Sequence, residues 1–433
     1  MQSSTYTKNK VWAAVGGPFD FRAALTKDSR ELFWVLAGKF ALMGSNAVVM
    51  LFLAKWLDLN TYGLFVLTIS GQLLISRLLM MGVDSAMVRL TATPELKARS
   101  QEVVRAGLLF MSYTSTALVV LMLASIPVLS WFAIPAWVLP CVVAGAIGSA
   151  LVDYGYSYRL ARHEYPLATL AQGGTAVLRL GLTALTALQL SAYTLAVFVA
   201  YHGASLVSGL VQSLLIVKVT RRPERGLVKQ LLSYSSWVGQ ASVLVIFSLY
   251  QGTFLLMLLS HPDETGRFGL ALSLSLGFFA IYNAYSEYLS VRVRAIRHLR
   301  ELPRFIRRSL VAALILMLGC VPVIFVIAML ISWFLGPKWL EAVPTFIYLS
   351  AAMVVTILRA PLVAACHYLL KPKLITFEWG LQAVLVGLAG LILAPQMGAV
   401  GAAIAQLLGS TLVFVLLSYL VAASWRDATK AEG

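Results

Sequence analysis

The sequence predicts an all-α polytopic membrane protein of about twelve transmembrane helices in two related six-helix lobes. Three observations carry that prediction. Apolar runs of about 20 residues, the length a helix needs to cross a bilayer, recur from Leu32 to near the C-terminus. Hydrophobic residues make up 60% of the 433 positions and charged residues only 12%, about half the charged share of an ordinary soluble chain. The basic residues are also sorted, falling almost entirely in alternate connections between the apolar runs.

Residues 1–31 read as a cytoplasmic tail. They are not a secretory signal, because the first apolar run is of full spanning length and has no small-residue cleavage site. Phe19 to Arg30 alternates apolar and charged positions, which suits either a short interfacial helix or a disordered tail. The N-lobe, 32–217, holds spans 32–57, 63–89, 104–126, 136–158, 166–188 and 193–217. A basic cytoplasmic linker, 218–233, leads to the C-lobe, 234–423. That lobe holds spans 234–259, 267–289, 308–334, 343–368, 374–394 and 399–423, and 424–433 is a second cytoplasmic tail. Pro322 and Pro361 fall inside the ninth and tenth spans, as passive kinks or as gating points.

The lobes look like copies. Tyr62-Gly63-Leu64 opens span 2 and Phe268-Gly269-Leu270 opens span 8; Gln189-Leu190 precedes span 6 and Gln396-Met397 precedes span 12. The two pairs share almost the same offset. Six spans is an even number, so both copies insert the same way round, as in parallel transporter repeats.

Orientation follows from charge. Of the 34 Lys and Arg, only Lys55, Arg267 and Lys338 fall in odd-numbered connections. The loop after span 8 alone carries Arg292, Arg294, Arg297, Arg300, Arg304, Arg307 and Arg308. The rich side is the cytoplasm, so both termini are cytoplasmic. The net charge of +16 is thus a topology signal and not a nucleic-acid footprint. Most tryptophans, Trp56, Trp137 and Trp339 among them, lie near span ends, where an amphipathic ring is best accommodated. Cys141, Cys320 and Cys366 lie apart in apolar spans and read as small core residues, with no metal, cofactor or structural disulfide implied.

Four bases lie inside spans: Lys39, Arg77, Arg179 and Arg359. At about 1.5 Å per residue, Arg77 and Arg179 fall near the midplane, Arg359 just inside it, and Lys39 about two turns from the cytoplasmic end. Each costs at least about 2.5–3.5 kcal/mol to insert, so each needs a reason. Asp84, Asp153, Glu287 and Glu378 fall near predicted cytoplasmic ends, where they can snorkel or pair with loop arginines. The deep interior then holds cations without a matching deep anion. Arg77 and Asp84 sit two turns apart on span 2 and do not satisfy one another directly.

The bases also lie on polar stripes: Lys39 with Asn46 on span 1, and Gln172, Thr175, Arg179, Thr183 and Thr186 on one face of span 5. One reading pairs each base with an acid on a neighbouring helix for structure alone. The other is a wet, cationic cavity for an anionic head group, since the arginine fork matches phosphate. His202 either relays protons or bridges helices as a neutral imidazole. Tyr250, Gln251 and Asn283 are mid-span polar groups suited to substrate contact or to helix–helix bonding.

Lys55 to Phe65 (KWLDLNTYGLF), Arg77 to Leu90 (RLLMMGVDSAMVRL), Phe334 to Ser350 (FLGPKWLEAVPTFIYLS) and Met397 to Gln406 (MGAVGAAIAQ) resemble the polysaccharide transporter branch of the MOP superfamily, the Wzx-type oligosaccharide flippases. The resemblance runs from about Leu32 to Leu420 and rests on loose glycine and apolar patterns. It implies two six-helix lobes in a MATE-like V around a central cavity that opens alternately to either side. The implied cargo is a polyprenyl-diphosphate-linked oligosaccharide, moved from the cytoplasmic to the periplasmic leaflet of a bacterial inner membrane. Such cargo serves O-antigen, exopolysaccharide or capsule synthesis. The implied partners are that lipid-linked oligosaccharide, membrane lipids and other polysaccharide assembly proteins, with the transporter itself a monomer. Many relatives place an acid in the middle of span 7. This chain reads Leu249-Tyr250-Gln251 there, so a coupling role for that acid does not carry over.

Three alternatives stand beside the flippase. A MATE-like cation or drug antiporter shares the fold but wants acids at the midplane. A major facilitator also has twelve spans, but the loop after span 2 lacks the expected glycine-aspartate-arginine pattern. An integral-membrane glycan polymerase or ligase needs a sizeable outer loop, and none is present.

Overall fold

A computed structural model of the chain describes residues 21–92, 100–129, 135–189, 194–216, 225–259, 261–293, 296, 301–369 and 373–432. The expectations for tail residues 1–20 and for residues 218–224 of the linker lie outside the described residues. Thirteen α-helices cover most of the rest: α1 (Phe21–Trp56), α2 (Leu59–Met80), α3 (Val83–Ala92), α4 (Ser100–Leu129), α5 (Val138–Ala161), α6 (Tyr165–Gln189), α7 (Thr194–Ile216), α8 (Arg225–Leu258), α9 (Pro262–Arg292), α10 (Leu302–Leu335), α11 (Ala342–Ile357), α12 (Ala360–Tyr368) and α13 (Lys373–Glu432). No strand occurs among the described residues.

Nine helical stretches among the described residues, α11 and α12 counting together as one, are long and apolar enough to cross a membrane, so this is a multi-pass membrane protein. Two expected spans fall short of that criterion. Of α1, the stretch Ala41–Trp56 is apolar among the residues whose side chains are described, and α6 is diluted by its own polar face. One of the nine, α13, is a hairpin. Its backbone reverses at Gly398 (φ 56°, ψ −133°), and a methyl on Gly409 or Gly390 would meet Val386 or Ala405 across the turn. Spans 11 and 12 are therefore two antiparallel arms of α13.

Three sequence expectations change. The chain is already helical at Phe21, so the described part of the suggested interfacial segment belongs to the same helix as span 1. Span 2 is broken: Met81 (φ 41°) and Gly82 (φ 79°) are both left-handed, which ends α2 and restarts the chain as α3. Span 10 also divides, between Ile357 and Ala360, with Pro361 in the first turn of α12, where its missing N–H has no partner to lose. Pro322 stays inside the unbroken α10.

In the first half α5 packs along α7 and α2, and α6 along α1 and α7. In the second half α9 packs on α11, and α13 on α8 and α11. The halves meet where α2 and α3 lie against α8 and α9. The repeated glycine motifs sit in that seam. Gly63 lies against the Pro262 carbonyl, Gly266 against the Leu59 carbonyl, and Gly269 against Val66. Gly63 beside Gly266 and Val66 beside Gly269 advance together along both helices, so α2 and α9 run parallel there. At the other end of α2, Gly82 and Met81 lie against Ser235 and Gly239 of α8.

The resemblance motifs pack on one another. Trp339, fully buried, donates from its indole N–H to the Ala54 carbonyl at 3.0 Å and meets Tyr62 edge to face at 5.0 Å. The Lys338 ammonium donates to the Leu57 carbonyl at 3.0 Å. The outward faces of α4 and α10 are apolar: Tyr113, Val120 and Leu121 on α4, and Ile315, Phe325 and Met329 on α10, are all exposed. On a membrane protein such faces meet lipid.

Candidate functional site

The interior polar residues form four groups. The first centres on Arg179 of α6, which is 7% exposed. Its Nη1 donates to Asn46 Oδ1 of α1 at 3.0 Å and to Tyr201 Oη of α7 at 3.3 Å, and its Nη2 donates to Ser205 Oγ at 2.9 Å. The guanidinium also lies over the Tyr201 ring, 4.7 Å from its centre. Every partner is neutral, and Arg179 Nε has none. No carboxylate among the described residues lies within ion-pair distance of it. Gln172, Thr175 and Thr183 share this buried face of α6, so the stripe points at α1 and α7 and away from lipid. Gln212 of α7 ties in by donating to the Ala171 carbonyl at 3.2 Å. Gln172 Oε1 and Thr183 Oγ1 are buried without partners.

The second group is His202, 1% exposed. Its ring nitrogens lie 2.6 Å from Gln72 Oε1 and 3.0 Å from Thr68 Oγ1, and Gln72 Nε2 donates to Ser149 Oγ at 2.6 Å. This chain of neutral partners bonds α7, α2 and α5 together and leaves no ring nitrogen free.

The third group corrects the sequence reading of Arg77. Its guanidinium lies 3.0 Å from Asp153 of α5 and 3.8 Å from Asp84 of α3. On an unbroken helix Asp84 sits two turns away. The left-handed pair Met81–Gly82 redirects the chain and brings the carboxylate back. All three side chains are partly exposed, at 30%, 19% and 26% for Arg77, Asp84 and Asp153.

The fourth group gives Glu378 a buried arginine as its partner, where the sequence suggested snorkelling or a loop arginine. Arg359, in the break between α11 and α12, is fully buried and donates from Nε to Glu378 Oε1 at 2.6 Å. It also bonds Glu378 through Nη2 and Gln382 through Nη1, and it lies over the Trp379 ring at 4.5 Å. Gln382 in turn donates to Ser410 at 3.3 Å, across the α13 hairpin. The expected interior of unmatched cations is thus replaced, among the described residues, by three arginines and three carboxylates, two of the acids on Arg77 and one on Arg359. Arg179 alone of the three lacks one.

The other candidates disperse. Asn283 lines a cavity of about 420 Å³ with Tyr282, Ser286, Glu287 and Trp379. Gln251 lines a separate, mostly apolar cavity of about 250 Å³ between α8 and α13. Tyr250 is buried in the core beside it. The backbone of Lys39 lies in α1, and its side chain lies outside the described residues. Sequence reasoning missed Tyr201, Ser205 and Gln382 as arginine partners. A Gly after two methionines in span 2 was the available signal for the break that recruits Asp84.

No family model matches the sequence, and no curated sequence relative matches it either. Solved structures do match. A multidrug resistance MATE family transporter of the MOP superfamily, in an inward-facing conformation, aligns over 92% of this chain and 99% of its own, with TM-score 0.65 and 14% identity. The lipid II flippase MurJ, in an inward closed conformation, aligns over 91% of this chain and 89% of its own, with TM-score 0.69 and 12% identity. A MOP superfamily transporter from Pyrococcus furiosus, described by the reverse polarity of its binding pocket, aligns over 90% and 96%, with TM-score 0.54 and 16% identity. The all-α fold of this chain is therefore the fold shared by MATE and MurJ transporters of the MOP superfamily.

Proposed function

We propose that this protein is a flippase for a polyprenyl-diphosphate-linked oligosaccharide. In this reading it moves its cargo from the cytoplasmic to the periplasmic leaflet of a bacterial inner membrane by alternating access. Arg179 carries the proposal. A guanidinium held deep between α1, α6 and α7 by neutral groups alone keeps its charge available to an incoming anion. Its planar donor fork suits a phosphate oxygen pair. Asn46, Tyr201 and Ser205 pre-orient that fork at little further entropic cost. Arg77 and Arg359 serve the scaffold in this reading, because each already has a carboxylate. The close seams at Gly63–Gly266 and at Gly82–Gly239 are the two places where the halves would part in turn.

Deleting the protein from its host tests the reading. Complete diphosphate-linked repeat units should accumulate on the cytoplasmic leaflet while surface polysaccharide disappears. Wild type should restore export, and Arg179→Gln should not, although it inserts normally. Export by Arg179→Gln at the wild-type rate would overturn the role of that charge.

A second reading rests on Asp84 and Asp153, which among the described residues share the single cation Arg77 and leave one carboxylate in excess. That arrangement suits a MATE-like antiporter coupled to a cation. Unchanged glycan together with raised sensitivity to cationic drugs in the deletion strain would select it.

A further inference from the structure

A groove of about 450 Å³ opens between the ends of α9 and α10, away from all four interior groups. Arg292, Arg304, Arg308, Tyr285, Tyr288 and Phe305 line it. Glu301, the residue that precedes α10, is the one carboxylate among the described lining residues. Arg292, Arg304 and Arg308 are all exposed, and none makes an ion pair among the described residues. The groove is nonetheless shaped. The Tyr285 hydroxyl donates to the Ser309 carbonyl at 2.7 Å and fixes one wall, and the Arg292 guanidinium lies over the Tyr288 ring at 4.9 Å.

Its depth is what identifies the ligand. Along α10, Arg304, Arg307 and Arg308 are exposed, and the next outward positions, Val311, Leu314, Ile315 and Leu318, are exposed and apolar. The arginines therefore stand within about one helical turn, roughly 5 Å, of the start of the lipid-facing surface. That is the level of the phospholipid phosphates. Unpaired guanidiniums there gain charge-assisted bonds to phosphate, while Tyr288 and Phe305 rest against the glycerol and upper acyl region.

We propose that this groove holds the phosphate of an anionic phospholipid of the adjacent leaflet. The site does not depend on what the protein transports. It tethers an anionic lipid at the seam between α9 and α10, where α10 presents its apolar face to the bilayer.

Purified full-length protein in detergent provides the test. Phosphatidylglycerol and phosphatidylcholine are titrated separately, and bound lipid is counted by native mass measurement. Wild type should retain phosphatidylglycerol over phosphatidylcholine, and the double variant Arg304→Gln/Arg308→Gln should weaken that retention on the order of tenfold. Arg426→Gln, which removes an exposed charge near the C-terminus, should leave it unchanged. Unchanged retention by the double variant, or equal binding of both lipids by wild type, would overturn the site. Inorganic pyrophosphate that binds the groove while phosphatidylglycerol does not would assign it to a soluble phosphate compound and overturn the lipid assignment.

Discussion

Arg77 faces Asp84 at 3.8 Å across a break in its own helix, and Asp153 completes the cluster at 3.0 Å from the facing helix. The break is the consequence of two consecutive left-handed residues, Met81 and Gly82. Three chain segments therefore converge on one guanidinium, with a carboxylate to spare.

That excess sets the order of substitution effects. Arg77→Ala leaves two carboxylates facing each other, whereas Asp153→Asn leaves a one-to-one pair. Because the side chains are 19–30% exposed, water screens much of the interaction, and Arg77→Ala should cost on the order of 1 kcal/mol. Asp153→Asn should cost less, and adding it to Arg77→Ala should recover part of the loss. Thermal unfolding of the four purified proteins reads this cycle, and additive single effects would show that the charges do not communicate.

Arg359 and Glu378 form a pair of the opposite kind, fully buried and hydrogen-bonded to Gln382. Removing one partner strands the other in low dielectric, so Arg359→Gln or Glu378→Gln should cost about 3–5 kcal/mol. Arg359→Lys should also fail to restore stability, since an ammonium cannot bond Glu378 and Gln382 together while lying flat on Trp379. Recovery of folded protein from membranes measures all three. A lysine variant as stable as wild type would reduce the site to a point charge.

The legible part of this protein was its hydropathy. The all-α multi-pass class and the polar face of α6 follow from one-dimensional patterns, and the Tyr62-Gly63 and Phe268-Gly269 motifs meet where α2 packs on α9. Placement by residue counting failed where the backbone departs from a straight helix. On a straight span 2 Asp84 falls two turns from Arg77, and Glu378 falls at the start of span 11 with no local pattern that marks its partner. The turn at Met81–Gly82 brings Asp84 to Arg77, and Glu378 meets Arg359 where α13 packs on the break after α11. Ion-pair partners on different helices, such as Asp153 for Arg77, depend on packing that no local pattern encodes.

Gly239 of α8 packs directly on the Met81 backbone, where a methyl group would overlap the carbonyl. Backbone on both sides leaves little room to yield, so Gly239→Ala should cost about 1–3 kcal/mol or push α8 away from the break. A reporter cysteine at the buried Ser235, one turn away, distinguishes the two. If α8 is displaced, S235C should react with a membrane-impermeant maleimide faster in the alanine variant than in its parent. Equal rates with a lowered melting temperature would mean that the seam stays shut and the clash is borne as strain.

The hairpin of α13 depends on Gly398 and on the acid beneath it. With φ 56° and ψ −133°, Gly398 occupies a region closed to side chains, and a methyl there would run into Glu264. The Glu264 carboxylate accepts from the Ala399 N–H at 2.7 Å and is held by Arg267, which also reaches Glu341 at 2.6 Å. Gly398→Ala should therefore destabilise by about 1–3 kcal/mol from the backbone alone. Glu264→Gln keeps an oxygen for Ala399 but loses the charge that anchors Arg267, and it should cost less. The ordering of the two melting temperatures is the check. If Glu264→Gln is the worse variant, the turn is held mainly by the Arg267 network and the glycine conformation is secondary.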